Sequence, residues 1–136
     1  MQAPARDDYC PNFVRAVGTL AADPATSATW AQFRNPWTFF ATGEEYGRLF
    51  ADAGFSVVAA EIEELGERAT PERVLDMFES GAAAGYLNPT CYDAPFPAGY
   101  AERARALILA DFHAQADADG LVDLLFHRIY VLARKP

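Results

Sequence analysis

The sequence contains no run of apolar residues approaching the ~20 needed for a membrane-spanning helix. Basic side chains are scarce: 11 Lys and Arg against 19 Asp and Glu leave a net charge of −8. Phosphate backbones repel such a chain, which argues against nucleic acid as its main partner. A neutral or basic partner, or a small molecule, fits better. Cysteine is limited to Cys10 and Cys91, neither in a Cys-x-x-Cys pair, and the only histidines are His113 and His127. No zinc-ligand spacing arises from four such residues, and no metal is expected. The thiols read as free in a cytoplasmic protein, with a disulfide between them left open. The start, MQAPARDDYC, lacks the apolar core of a signal peptide. What the chain does have is aromatic mass: ten Phe, six Tyr and two Trp in 136 residues that are 51% hydrophobic. That is enough apolar surface for one folded domain spanning 1–136, and too much for disorder.

Residues 1–8 read as a polar leading segment. Helical spacing predicts a helix over 12–22, with Phe13, Val14, Val17 and Leu20 on one face. Residues 23–29 (DPATSAT) carry loop chemistry. Residues 30–40 (WAQFRNPWTFF) are dense in aromatics, and Pro36 forbids a continuous helix through them. Thr42 and Glu45 fit a capping box. The helix it opens has the stripe Tyr46, Leu49, Phe50 and Ala53, and Gly54 ends it. Residues 55–62 (FSVVAAEI) then predict a strand, and 63–69 an acidic loop. Thr70-Pro71-Glu72 starts another helix through a hydroxyl cap and an N1 proline, with Val74, Leu75, Met77 and Phe78 as its stripe. SGAAAG, at 80–85, is small and flexible, and 86–99, with three prolines, is irregular. A last helix covers 100–116, with Ala104, Leu107, Ile108 and Phe112 inward, and DADG forms a turn.

Residues 121–134 (LVDLLFHRIYVLAR) read as a strand that is largely apolar on both faces. Such a strand needs cover on each side and a neighbour on each edge. Only 55–62 offers a companion, so the sheet appears incomplete within the chain. Either the chain dimerises through its sheet, or it docks onto strands of another polypeptide.

EEYGRLFADAGFSVVAAEIEE, followed by TPERVLDMF and a terminal strand that ends in ARKP, resembles the C-terminal part of class I S-adenosylmethionine-dependent methyltransferases. The likeness is to the small-molecule type, similar to the trans-aconitate and juvenile-hormone-acid enzymes, and runs from about Gln2 to Pro136. The resemblance implies a helix leading into the family's sixth strand, then a helical cap, then an antiparallel seventh strand. NPWTFF, with Trp30 and Phe33 upstream, is similar to the family's aromatic stretch. The family holds its cofactor with a Gly-rich turn and an acid that binds the ribose hydroxyls. The nine glycines here, at 18, 43, 47, 54, 66, 81, 85, 99 and 120, include no such spacing. No cofactor is therefore expected to bind this chain alone, with S-adenosylmethionine entering only when a partner half completes it.

The substrate-binding candidates are Trp30, Phe33 and Trp37, with Tyr86 and Tyr92 from the Pro-rich cap segment and Arg128 from the last strand. The aromatics either line an acceptor pocket or pack as core. Arg128 either takes a substrate carboxylate or, the favoured alternative, pairs with Glu61 or Glu63. His113 and His127 are general-base candidates without a nucleophile motif beside them, and a satisfied ring is the competing reading. Glu61, Glu63, Glu64 and Glu67 lack calcium-loop spacing and read as a solvated acidic turn. No catalytic residue emerges.

The fold class is therefore expected to be α+β: several helices with a short, mostly antiparallel sheet, resembling the C-terminal segment of a Rossmann-like methyltransferase. The function expected is the acceptor-binding and capping portion of such an enzyme, inactive without a cofactor-binding chain. The alternative is a non-enzymatic dimeric ligand-binding or regulatory module derived from a methyltransferase. Partners are thus a small-molecule acceptor and either a second copy or a cofactor-binding chain, with no nucleic acid and no membrane.

Overall fold

The structure, a computed structural model, describes the backbone of residues 2–4 and the whole of residues 9–136. It is α+β. A short strand β1 (Gln2–Pro4) precedes helices α1 (Pro11–Ala22), α2 (Ser27–Trp30) and α3 (Gly43–Asp52). Strand β2 (Ser56–Ala69) and helix α4 (Pro71–Ser80) follow, then two 3-10 turns at Ala82–Leu87 and Pro89–Cys91. Helix α5 (Tyr100–Gln115) and strand β3 (Val122–Arg134) complete the order. No helix among the described residues is long and apolar enough to cross a membrane.

Local chemistry sets several boundaries where the sequence puts them. The Thr42 hydroxyl accepts the Glu45 amide at 3.2 Å, and the Glu45 carboxylate accepts the Thr42 amide at 3.0 Å. Two donors of the first turn that would otherwise lack partners are satisfied reciprocally. Thr70 caps α4 by accepting the Arg73 amide at 3.3 Å, with Pro71 in its first turn. Gly54 follows α3 at φ +89°, a conformation that side chains with a Cβ resist.

The sheet order is β1-β3-β2, which corrects the expected incomplete sheet: β3 is central, and the chain supplies a neighbour on each edge. β1 pairs antiparallel with it, Gln2 opposite Tyr130, Ala3 opposite Ile129 and Pro4 opposite Arg128. The His127 amide donates to the Tyr9 carbonyl at 2.6 Å, beside that pairing. The polar leading segment thus hides a strand too short to show a hydrophobic period.

β2 runs to Ala69, so the expected acidic loop at 63–69 is strand. Glutamate is a poor strand former alone, but cross-strand partners override propensity. Glu64 Oε1 lies 3.2 Å from His127 Nε2, and Arg68 Nε donates to Asp123 Oδ1 at 2.8 Å. The partner number rises as the β2 number falls, which is the antiparallel sense. Arg68 also pairs with Asp117, whose other carboxylate oxygen accepts the Leu121 amide at 3.1 Å and the Asp119 amide at 2.9 Å. Those amides, with Arg68, hold the Asp117 carboxyl below its ordinary range.

The chain divides into two compact units. The first comprises Met1–Cys10, Thr38–Gly66 and Leu125–Pro136. Its core joins Tyr46 of α3 to Ile129 and Val131, with Phe40, Phe50, Ala60, Ile62 and Ala133 around them. The second comprises Pro11–Trp37 and Glu67–Leu124. There α1, α4 and α5 meet at three rings: Phe13 lies 5.3 Å from Phe78 and 5.9 Å from Phe112, and Phe78 lies 6.2 Å from Phe112. Three stripe positions differ from the helical reading. Val14, Leu49 and Ala53 are exposed, the first two at 36% and 54%, because the buried faces run through Phe13, Ala16, Val17 and Leu20 in α1 and through Tyr46 and Gly47 in α3.

β3 meets the need for two-sided cover by switching faces along its length. Val122, Leu124 and Phe126 are buried, and then the buried set shifts to His127, Ile129 and Val131. A period of two interrupted by adjacent buried residues is why both faces read as apolar. No disulfide joins Cys10 and Cys91, the first of them buried.

Candidate functional site

Five of the six substrate-binding candidates gather in the second unit. Trp30 ends α2, Phe33 follows it, Trp37 comes after Pro36, Tyr86 lies in the first 3-10 turn and Tyr92 leaves the second. Phe33 is the hub, with ring centres 5.0 Å from Trp30, 5.3 Å from Tyr86, 5.4 Å from Tyr92 and 6.2 Å from Trp37. Trp30 and Phe33 stack within 8° of parallel, whereas Trp37 meets Tyr86 edge-on at 4.8 Å. Offset stacks and edge contacts are the geometries that ring quadrupoles favour.

Backbone pairing fixes the hub. Phe33 and Tyr92 form an isolated antiparallel bridge. The Arg34 amide donates to the Cys91 carbonyl at 2.7 Å, and the Asp93 amide donates to the Gln32 carbonyl at 3.0 Å. An Arg34–Asp93 ion pair at 2.8 Å closes the outside of this clamp. Beneath it, the Tyr92 hydroxyl donates to the Tyr86 carbonyl at 2.5 Å and lies 3.2 Å from the Tyr100 hydroxyl. Burial pushes the Tyr92 phenol far above its ordinary range, and the Tyr100 hydroxyl reinforces the shift. Tyr92 therefore stays protonated and serves as a donor and wedge, not as a base.

The cluster is graded in depth. Tyr86 and Tyr92 are buried, whereas Trp30, Phe33 and Trp37 are half-buried, so each of these three residues is partly exposed. Tyr86 also stacks on Phe78 at 6.0 Å, which ties the site to the core of its own unit. This arrangement can hold an apolar or aromatic surface by stacking. It offers no acid or base to a bound molecule from within the five rings.

Gly85 is a site residue that its small, flexible-looking segment conceals. A Cβ there would lie 2.8 Å from Trp37 Cζ2 and 3.6 Å from Pro36 Cγ. The indole rests directly on the backbone, which only glycine permits at this approach. Gly85→Ala is expected to swing the Trp37 ring outward and shift tryptophan emission to the red. The unfolding midpoint should move little, since a side chain gives way instead of backbone. Unchanged emission would mean that the indole has another seat.

Arg128 belongs to the other unit. Its guanidinium carbon lies 4.9 Å from the centre of the Phe126 ring, and among the described residues no carboxylate pairs with it. The favoured pairing with Glu61 or Glu63 is thus replaced by a cation–π contact. Residues two apart share a strand face, so Phe126 is already in place beneath the charge. Both histidines meet carboxylates: exposed His113 lies 2.9 Å from Glu72, and buried His127 lies 3.2 Å from Glu64. Neither contact contains a nucleophile. Among the described residues no three His, Cys, Asp or Glu side chains converge to hold a metal. A shallow cleft of about 250 Å³ in the first unit is lined by Phe40, Glu45, Arg48, Leu49 and Asp52. Two of its charges are committed locally, Arg48 to Glu44 at 2.8 Å and Glu45 to the cap of α3.

Comparison with protein-family models and with curated proteins finds no match to the chain.

Proposed function

We propose that the chain is the acceptor-binding and capping portion of an S-adenosylmethionine-dependent small-molecule methyltransferase, inactive alone and completed by a cofactor-binding half. The observation that carries the reading is the sheet. A capped helix ending in Ala53-Gly54-Phe55 feeds β2, a helical segment intervenes, and β3 returns antiparallel to β1. That sequence of elements is what the resemblance implies for the end of such an enzyme. The 136 residues include no Gly-rich turn that would approach a cofactor closely.

In this role the aromatic cluster holds the apolar body of the acceptor, and the Pro-rich segment around Tyr86 and Tyr92 covers it. Catalysis comes from excluding water and from placing the acceptor atom in line with a methyl group held by the partner. The self-contained cluster also favours a second reading, a non-enzymatic ligand-binding module of the same descent. Adding a cofactor-binding chain separates the two, because methyl transfer appears in the mixture only under the first.

Trp30 and Trp37 are the only tryptophans, so their emission reports on this cluster alone. Titration with farnesoic acid, an apolar carboxylic acid, is expected to change the emission saturably, with trans-aconitate as the polar comparison. Phe33→Leu should weaken binding by about 1 kcal/mol through the lost ring contacts. A flat titration with both acids would remove the acceptor site from the proposal.

A further inference from the structure

We infer that the cleft on α3 binds an organic ammonium ion, a cationic head on a short apolar body. Asp52 is the counter-ion, and Phe40 and Leu49 are the walls. The inference goes beyond the acceptor reading and does not rest on it.

Glu45, Arg48, Leu49 and Asp52 stand at i, i+3, i+4 and i+7 of α3 and so share one face. Another face carries Tyr46, Gly47 and Phe50 to the sheet: Tyr46 and Phe50 pack with Ile129 and Val131, and Gly47 approaches Ala60. Phe40, just upstream of α3, walls the cleft. Its amide donates to the Tyr46 hydroxyl at 3.1 Å, and its ring meets the Tyr46 ring edge-on at 5.0 Å, so a buried residue holds this wall in place. Leu49, 54% exposed, supplies apolar surface beside it. At about 250 Å³ the cleft lies just below the usual range for ligand pockets, roughly 300–1,000 Å³, which fits a small ligand.

Charge decides the head group. Glu45 Oε2 accepts the Ala41 amide at 2.9 Å, the Thr42 amide at 3.0 Å and the Thr42 hydroxyl at 3.3 Å, so the start of α3 absorbs this charge. Arg48 has an acid four residues away on either side. An acid N-terminal to its base is the favoured order on a helix, and Arg48 pairs with Glu44 at 2.8 Å, not with Asp52. The exposed Asp52 side chain makes no hydrogen bond or ion pair with the described residues. It stands in the last turn of α3, where the helix dipole opposes an acid and no basic side chain offsets it. A carboxylate set against its own helix, at the rim of a cleft with apolar walls, suits a cation from outside, and the negative end of the dipole adds to the attraction. An anion would meet Asp52 and that same helix end, with Arg48 already taken. The net charge of −8 also draws cations toward the chain.

The probe is hexylammonium chloride at neutral pH, added to the full chain, with propylammonium, hexanol and hexanoate as comparisons. Methyl NMR should show saturable shifts at Leu49, with a Kd on the order of 1 mM for so small a ligand. Propylammonium, hexanol and hexanoate should each bind more weakly. Asp52→Asn should weaken hexylammonium about three- to fivefold, the scale of a partly exposed ion pair. It should not lower the unfolding midpoint, because it removes an acid that the dipole opposes, whereas a purely structural role for Asp52 would lower it. Glu44→Gln should weaken binding to a similar extent, since it releases Arg48 to Asp52. Both residues are exposed, so neither change threatens folding. No binding, equal binding of hexanol or hexanoate, or unchanged affinity in Asp52→Asn would overturn the inference. A response confined to tryptophan emission would also overturn it, because Trp30 and Trp37 belong to the other unit. A flat titration with the two acids, beside hexylammonium shifts at Leu49, would remove the acceptor site and leave this one standing.

Discussion

Replacing Phe78 with alanine is expected to cost about 3–5 kcal/mol, the range for deleting a buried phenyl ring. Phe78 is fully buried and touches the rings of Phe13, Phe112 and Tyr86. The cavity would open where α1, α4 and α5 converge, and three helices cannot all move inward to fill it. Against a typical total of about 5–15 kcal/mol, such a loss leaves the protein marginal. Urea unfolding measures it, with a lower midpoint and little change in slope. Because Tyr86 stacks on Phe78, the tryptophan emission of the neighbouring cluster should change as well. Loss of stability with that emission untouched would show that the site is not braced by the core in the way described.

Gly43→Ala is the second change with a large expected effect, about 3 kcal/mol of destabilisation. A methyl group at residue 43 would stand 2.3 Å from the Ala60 carbonyl oxygen and 2.9 Å from its carbon. Both are backbone atoms of β2, so no side chain can swing aside and α3 must lift from the sheet. The gain in helix propensity from alanine, at most about 1 kcal/mol, does not offset this. Gly47→Ala is the internal control. Its methyl would meet Ala60 Cβ at 3.2 Å and Val57 Cγ1 at 3.5 Å, contacts that small side-chain shifts relieve. Denaturant midpoints for the two variants should therefore differ widely, and equal midpoints would refute the close approach at Gly43.

How far the sequence discloses this architecture depends on how local each signal is. The caps at Thr42 and Thr70 are legible because the partners lie three residues away. The full reach of β2 is not, because Glu64 and Arg68 are strand residues only by virtue of His127 and Asp123 far along the chain. β1 escapes because three residues carry no period, and its absence from the reading made β3 look abandoned. The aromatic candidates were recoverable because aromatic residues that cluster in a sequence, joined by a Pro-rich segment, tend to meet. Gly85 was not, since its role depends on an indole 48 positions earlier that its own neighbours do not announce. Arg128 shows the opposite failure. Charge complementarity pointed to glutamates on the facing strand, while a ring two residues away had already taken the guanidinium.

The half-enzyme account is tested most directly by tryptophan emission of the intact chain, titrated separately with farnesoic acid and with S-adenosylmethionine. Both indoles sit in the aromatic cluster. The account predicts a saturable change with the acid and none with the methyl donor. Saturable binding of the donor by this chain alone would contradict it, because the chain would then hold the very site that its partner is supposed to bring.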